Sequence, residues 1–417
     1  MLKNYYDGNH KILKRKKEKY LSNNQIVCNH AKYITDTLTG YVAGNPVTYT
    51  GKSDISLLTD MLKKAESDTQ DTDLAHNISI FGRGYEMAYM SSDEIPCVKL
   101  ENCNPQNVFV VYDDTVEHKP VFSVYYFAVY DDNQNLKGYK CTMSTDSLIY
   151  EFSLGIGFDI QGKITENDNL FGMVNVIEYY NNAECQGDFE QVISLIDAYN
   201  LLQSDRLNDK EQFVDAILLI KGQILGDSAE EESEAYNNLR KFGLLMLDSD
   251  SSAEWLTRSF DENSVEILKK SLENDIHKFS GVPCLTDEKF AGNSSGVAMK
   301  YKLLGLENIA KVKERYFKEG LYYRLKLFAN IIRIKGGGEI NIDDIEIKFT
   351  RSLPQNELEI AQTVATLQGI VSNQTLVSLL PFISDAKSEI DLLKSEQQEN
   401  TDYSNINPPV LDEDEEQ

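Results

Sequence analysis

The chain has 417 residues, 41% of them hydrophobic and 26% charged, which excludes a wholly disordered protein and leaves room for two or three domains. Its 67 acidic residues outnumber 41 basic ones, for a net charge of −26, the wrong sign for a surface that grips nucleic-acid phosphates throughout. No run approaches the roughly 18–20 apolar residues of a membrane span, and the start, Met1–His10, is too polar for a signal peptide, so the sequence reads as soluble and cytosolic.

In chain order, the first feature is a basic arm. Lys11, Lys14, Arg15, Lys16, Lys17 and Lys19 stand close together in an otherwise acidic chain. They form either a solvated face or a contact with DNA or an acidic neighbour. Asn29–Tyr41 has helical spacing, stopped by Gly44-Asn45-Pro46, and Val47–Tyr49 follows as a short strand. Leu57–Lys64 and Asp73–Met90 are further expected helices, with Gly82 and Gly84 a weak point in the second.

From Cys97 to about Ile160 the period changes to two. Val108–Tyr112, Val121–Phe127, Gly138–Cys141 and Ser147–Tyr150 predict a small antiparallel sheet. The turn Asp131–Asn135 matches three positions of a calcium loop, but Leu136 and Thr142 stand where glycine and glutamate are needed, so turn chemistry is the reading. Helices are expected at Phe189–Leu202, Asp209–Ile220 and Ser264–Phe279. An exposed acidic stretch is expected at Asp227–Asn238 and a buried strand at Leu244–Leu247.

From Gly305 a long helix is predicted on Ile309, Val312, Tyr316, Tyr323 and Leu327. A glycine turn, Lys335–Gly338, leads to an alternating strand on Ile345, Ile347 and Phe349, closed by Pro354. Asn356 and Glu359 have capping-box spacing for a helix on Ile360, Val364, Leu367 and Val371. Ser372–Thr375 interrupts before a helix from Leu376 that contains Pro381, and an acidic tail ends the chain.

No constellation carries catalysis. The six cysteines form no CxxC pair, and none of the five histidines has a second histidine or a cysteine at ligand spacing. The expectation is free thiols in a reducing compartment, with no metal and no cofactor. Gly292–Gly296 matches GxSxG around Ser294, but no histidine follows it to complete a triad. Asp343-Asp344 beside the Ile345 strand is the best candidate for a two-metal carboxylate pair, against the plainer reading of a solvated turn. Cys103 reads as a small buried hydrophobe and Trp255 as a packing anchor. On residues alone this is a multi-domain α+β assembly protein without visible catalysis. A metal-dependent nuclease and a scaffold without a channel are the other classes left open.

Five segments in order resemble one family. They are Tyr5–His10, Asn23–Ile34 running on to Gly40–Val47, Leu202–Asp209, Ser295–Tyr301 and Phe349–Pro354. Together they resemble the portal proteins of tailed phages and prophages, of the SPP1-like type, over roughly residues 1–395. The resemblance implies a portal fold with wing, stem helices, a small β-containing clip and a short helical crown. It implies a homo-oligomeric ring, usually of twelve subunits or thirteen in isolation, at one capsid vertex. Double-stranded DNA passes through non-specifically for packaging and ejection.

The implied partners are the terminase large subunit, then the head–tail adaptor, with the major capsid and scaffolding proteins. The implied place is the virion, with host cytoplasm during assembly and no membrane. By the same resemblance the wing would be residues 1–300, with the sheet at about 97–160, and one stem helix residues 301–331. The clip would be residues 332–354, presenting Gly336, Gly337, Gly338, Ile345, Ile347 and Phe349. The second stem helix and tunnel loop would fill 355–375, with Val371, Ser372, Asn373, Gln374 and Thr375 in the loop. Residues 376–417 would be the wing/crown helix and disordered acidic tail. Lys11, Lys14, Arg15, Lys16 and Lys17 would contact a neighbouring subunit or the capsid.

Overall fold

The computed structural model describes residues 1–18, 21–214, 217–221, 252–256, 262–285, 296–351, 357–380 and 386–404, with positions 228, 230, 231, 233, 234, 237 and 383. Leu244–Leu247, Pro354, Pro381, Ser294 and the acidic tail beyond 404 lie outside these residues. The chain divides into two compact units, residues 1–34 with 189–281 and residues 35–188 with 282–417.

The elements run in an α+β order: α1 (Leu2–Tyr6), α2 (His30–Ala43), β1 (Thr48–Gly51), α3 (Ser56–Lys64), α4 (Ser67–Phe81), β2 (Arg83–Met90) and β3 (Val98–Cys103). Six strands follow, β4 (Val108–Tyr112), β5 (Pro120–Tyr130), β6 (Leu136–Ser144), β7 (Leu148–Gly155), β8 (Ile160–Asp168) and β9 (Val176–Tyr180). Then come α5 (Ile193–Val214), β10 (Ile217–Lys221), β11 (Ser252–Leu256), α6 (Glu262–Ser280), α7 (Gly296–Lys302) and α8 (Leu304–Ile334). The last elements are β12 (Ile345–Lys348), α9 (Glu357–Leu367), α10 (Asn373–Ser378) and α11 (Ala386–Ser404).

In the second unit, β3-β2-β9 form an antiparallel sheet. α8 packs on β9 and α4 on β2. With 31 residues α8 is about 46 Å long. Leu306, Ala310, Phe317, Leu321, Phe328 and Ile331 on α8 are buried, and most of them join Leu58, Leu74, Ile78 and Tyr179 in one core. Gly320 lies where α8 and β9 come closest. A Cβ there would sit 2.3 Å from the Tyr179 ring, so glycine is required despite its cost of about 1 kcal/mol in a helix. β4 to β8 form a separate five-stranded antiparallel meander.

Three expected helices are corrected. Asp73–Met90 is not one helix: α4 stops at Phe81, and Gly82, at φ 76° in the left-handed region, turns the chain into β2. A Cβ on Gly82 would meet the Cys185 backbone at 2.0 Å. Conversely, Phe189–Leu202 and Asp209–Ile220 are not two helices. α5 runs unbroken through residues 203–208, and Ile217–Ile220 belong to β10.

Candidate functional site

The first unit is built on α5 and α6, which pack side by side. Arg206 donates to Glu266 at 3.0 Å and Lys210 pairs with Glu262 at 3.0 Å. Four residues forward on α5 is four residues back on α6, so the helices are antiparallel. β10 and β11 continue them as an antiparallel pair, from Ile217 opposite Leu256 to Lys221 opposite Ser252. The result is a helical hairpin closed by a β-ribbon at the far end. Leu201 and Leu207 on α5, and Ile267, Leu268 and Phe279 on α6, stay exposed.

An extended strap from the N-terminus lies along α5. Buried Asn200, Ser204 and Asn208 follow one another at four-residue spacing on one face. Their side-chain oxygens accept the backbone N–H groups of Cys28 at 2.8 Å, Ile26 at 3.0 Å and Asn24 at 2.7 Å. The repeats match: four helical residues rise about 6.0 Å, and two extended residues span about 6.6–6.8 Å. Asn200 also donates to His10 Nδ1 at 2.8 Å, and the Tyr5 hydroxyl donates to Asp197 at 2.8 Å. These contacts give a physical reason for three of the five sequence segments, Tyr5–His10, Asn23–Ile34 and Leu202–Asp209.

At the end of the strap, His30 meets Tyr199 edge-on at 4.8 Å and His277 at 5.8 Å. Burial, and then the nearby His277 and His10, push its pKa down to about 4.

The basic arm is partly occupied. Arg15 and Lys17 both donate to Asp205 on α5. Burial alone would raise the Asp205 pKa, but the hydrogen bonds from Arg15, Lys17 and Asn208 hold it below the usual carboxylate value. Lys11, Lys14 and Lys16 are exposed.

In the second unit, the segment Phe349–Pro354 and the end of the Gly40–Val47 segment meet on α8. Arg351 donates to Glu307 at 3.0 Å and Glu314 at 2.8 Å. The Tyr41 hydroxyl donates to Glu307 at 2.7 Å, and Asn45 donates to the Thr350 carbonyl at 3.2 Å. Deeper, fully buried Arg324 donates to both Glu86 oxygens at 2.8 Å and to Asp71 at 2.6 Å, while the Tyr179 hydroxyl donates to Glu86 at 2.9 Å. Buried Lys313 pairs with Asp188 at 2.6 Å, and Ser79 donates to the same carboxylate.

Of the residues expected in a clip, Ile345 and Ile347 are buried in the core of the second unit and Phe349 packs against it. β12 pairs with β1, Ile347 opposite Tyr49. Gly336, Gly337 and Gly338 are exposed after the end of α8. α8 itself, expected in the stem, lies in that core. Val371 is half-buried, while Ser372, Asn373, Gln374 and Thr375 are exposed, with Ser372 accepting the Thr375 N–H at the head of α10.

The features weighed for chemistry have ordinary structural partners. Asp131 accepts the backbone N–H groups of Asn133 and Asn135 as a turn. Asp344 pairs with Lys52 at 3.1 Å. Burial, then Glu101 and Glu86, pushes the Cys103 thiol up to about 12, away from any thiolate chemistry.

The described residues thus form a helical hairpin with a laced N-terminal strap, and a mixed α+β body. The profile of the phage portal proteins of SPP1 Gp6-like type matches residues 1–403. The portal protein of Bacillus phage SPP1 is 24% identical over 399 residues, covering 91% of this chain and 77% of that protein. The portal protein of Clostridium phage phiCD119 is 22% identical, covering 97% of this chain and 94% of that protein. Among solved structures, a chain from the neck of a native GTA particle computed with C12 symmetry gives a TM-score of 0.47 at 13% identity, over 84% of this chain and 90% of that one.

The chain belongs to the SPP1 Gp6-like phage portal protein family. It is a virion component of the capsid's portal, built on the portal fold, whose subunits form an oligomeric channel. It is a structural protein and not an enzyme. No helix among the described residues is long and apolar enough to cross a membrane.

Proposed function

We propose that this subunit closes into a ring, of twelve copies in the capsid, that conducts double-stranded DNA inward during packaging and outward at ejection. In this reading the α5–α6 hairpin is the stem. The connection between its helices, residues 215–261, is the end that docks the terminase and afterwards the head–tail adaptor. This differs from placing the clip at residues 332–354, where Ile345 and Ile347 are committed to the core.

The observation that carries the reading is the hairpin itself. It is braced internally by two antiparallel ion pairs and by the strap, yet leaves Leu201 and Leu207 exposed on one helix and Ile267 and Leu268 on the other. A cyclic ring needs two different, mutually complementary patches on each subunit. An α5 flank of one subunit against an α6 flank of the next supplies them.

Lys11, Lys14 and Lys16, left over by the Asp205 contact, are suited to an acidic neighbour in the capsid or the adjoining subunit. The capsid and scaffolding proteins are the remaining partners in this reading. The net charge of −26 fits a conduit that must not hold DNA, because each phosphate gripped by Lys or Arg adds salt-dependent affinity.

Paired cysteines, Leu201→Cys and Ile267→Cys, test the stem. Oxidation of the assembled protein is expected to give a ladder of covalent multimers up to the closed ring. Assembled rings that yield only monomers after oxidation would contradict the α5–α6 contact. Replacing residues 222–250 with a Gly/Ser linker is expected to leave the ring intact and abolish terminase binding. Unchanged terminase binding would remove the docking role.

A further inference from the structure

The β4–β8 meander has two unlike faces. On one, Val108 joins Tyr85, Cys103 and Val176, with Val110 and Tyr125 packed against them. The register puts Phe109, Phe122, Tyr126, Tyr139, Tyr150 and Phe152 together on the other. Among the described residues no helix forms a layer over β5 to β8. Phe109 is 44% exposed, and Phe158, stacked on Tyr139 at 5.6 Å between ring centres, is 70% exposed.

Five strands spaced about 4.8 Å apart and averaging about 28 Å in length make a sheet face on the order of 650 Å². The rings of Phe122, Tyr126, Tyr139, Tyr150 and Phe152 on it are half-buried and Phe109 is exposed, and the face as a whole approaches the roughly 800 Å² per partner of a stable interface.

The charge around this face selects the occupant. Its paired positions include Glu166 and Asp168 but no lysine or arginine. The three turns joining β5 to β8 hold Asp131, Asp132, Asp146 and Asp159, against Lys137 beside Asp131 and Lys163 on β8, so the rim is acidic on balance. A second copy would bring another 26 net negative charges. The chain's strongly basic block is its N-terminal arm, where Arg15 and Lys17 are already bound to Asp205.

We propose that the aromatic face of β4–β8 is a docking surface for a basic amphipathic helix of another protein, with an apolar stripe on the rings and Lys/Arg flanks against the acidic rim. A helix of about 18 residues is about 27 Å long and spans the face. The proposal does not depend on which helices line the channel.

The test uses the assembled full-length chain and a synthetic 18-residue helix with a leucine stripe and lysine flanks, beside a twin carrying glutamate flanks. The lysine peptide is expected to bind at least tenfold tighter than its twin and to slow hydrogen exchange in β5–β8. Phe109→Gln with Phe158→Gln, both at exposed positions, is expected to weaken binding about tenfold while the assembly keeps its mass. Glu166→Gln with Asp168→Asn is expected to weaken binding about threefold and flatten its salt dependence. Three results would overturn the proposal: equal binding of the twin, binding indifferent to the aromatic replacements, or β5–β8 exchange already suppressed by ring formation alone, which would assign the face to a second copy.

Discussion

A guanidinium with no access to water is tolerated only where carboxylates meet it, and Arg324 has two, Glu86 and Asp71. Removing the cation leaves both acids buried and uncompensated, so Arg324→Ala is expected to cost about 3–5 kcal/mol in urea unfolding. A loss below 1 kcal/mol would show that water reaches the site. Arg324 and Lys313 also explain why the buried face of α8 was only partly legible. Of the stripe Ile309, Val312, Tyr316, Tyr323 and Leu327, Leu327 is buried and Tyr323 packs on the core, yet Val312 is exposed while Lys313 and Arg324 are buried. A charged residue satisfied by an acid more than a hundred positions away leaves no local trace in hydropathy.

His30 gives the residue-scale pH dependence. Its folded pKa of about 4 lies below the unfolded value of about 6.5. The unfolded chain therefore binds more protons between these values. Stability from keeping His30 neutral is full above pH 6.5 and is lost as pH falls toward 4. Hydrogen exchange at residues 21–34 is expected to accelerate over that window, and His30→Gln is expected to flatten the response. An unchanged pH response in that variant would assign the titration elsewhere.

At the scale of elements, the strap on α5 and the contact of α8 with β9 are both sharply specified. Ser204→Ala removes the acceptor for the Ile26 N–H and should cost about 1–3 kcal/mol, with faster exchange at Ile26 and its strap neighbours. Protection as in the parent chain would mean water replaces the hydroxyl. Gly320→Ala should cost about 1–3 kcal/mol by overpacking against Tyr179, where an ordinary exposed helical glycine would gain from the same change. Thermal unfolding decides the sign.

β4 to β7, α2, α3, α6, α8 and β12 were legible because their periods are regular over many residues, whereas β8, at Ile160–Asp168, lies beyond the expected sheet. Asn200, Ser204 and Asn208 were not. Polar residues every fourth position look like a solvated helix face until the strap that they hold is in place. The start of β2 was hidden because its residues, Arg83-Gly84-Tyr85, have no apolar alternation before the sheet forms around them.

At the scale of the whole molecule, each subunit adds a charge of −26 to any ring. The screening length falls from about 30 Å at 0.01 M salt to about 8 Å at 0.15 M. The assembled fraction is therefore expected to rise with salt over that range, as light scattering would show. Assembly that weakens with salt would mean attractive ion pairs across the interface outweigh the net repulsion. The family was legible in five short segments. The structure gives four of them physical partners: three in the strap and α5, and Phe349–Pro354 on α8, with residues 352–354 outside the described chain. A long amphipathic helix followed by a glycine turn and a strand occurs equally in a body and in a hairpin, so periodicity alone does not choose between a stem at residues 301–331 and the α5–α6 hairpin proposed above. Burial of Ile345 and Ile347 favours the proposed hairpin.

The most direct test of the ring is the mass of the purified assembly, by native mass spectrometry with single-particle views down the axis. A closed particle near twelve or thirteen times 47.3 kDa, with an open centre, is the predicted result. A monomer or dimer that persists at high protein concentration across the full salt range would contradict it.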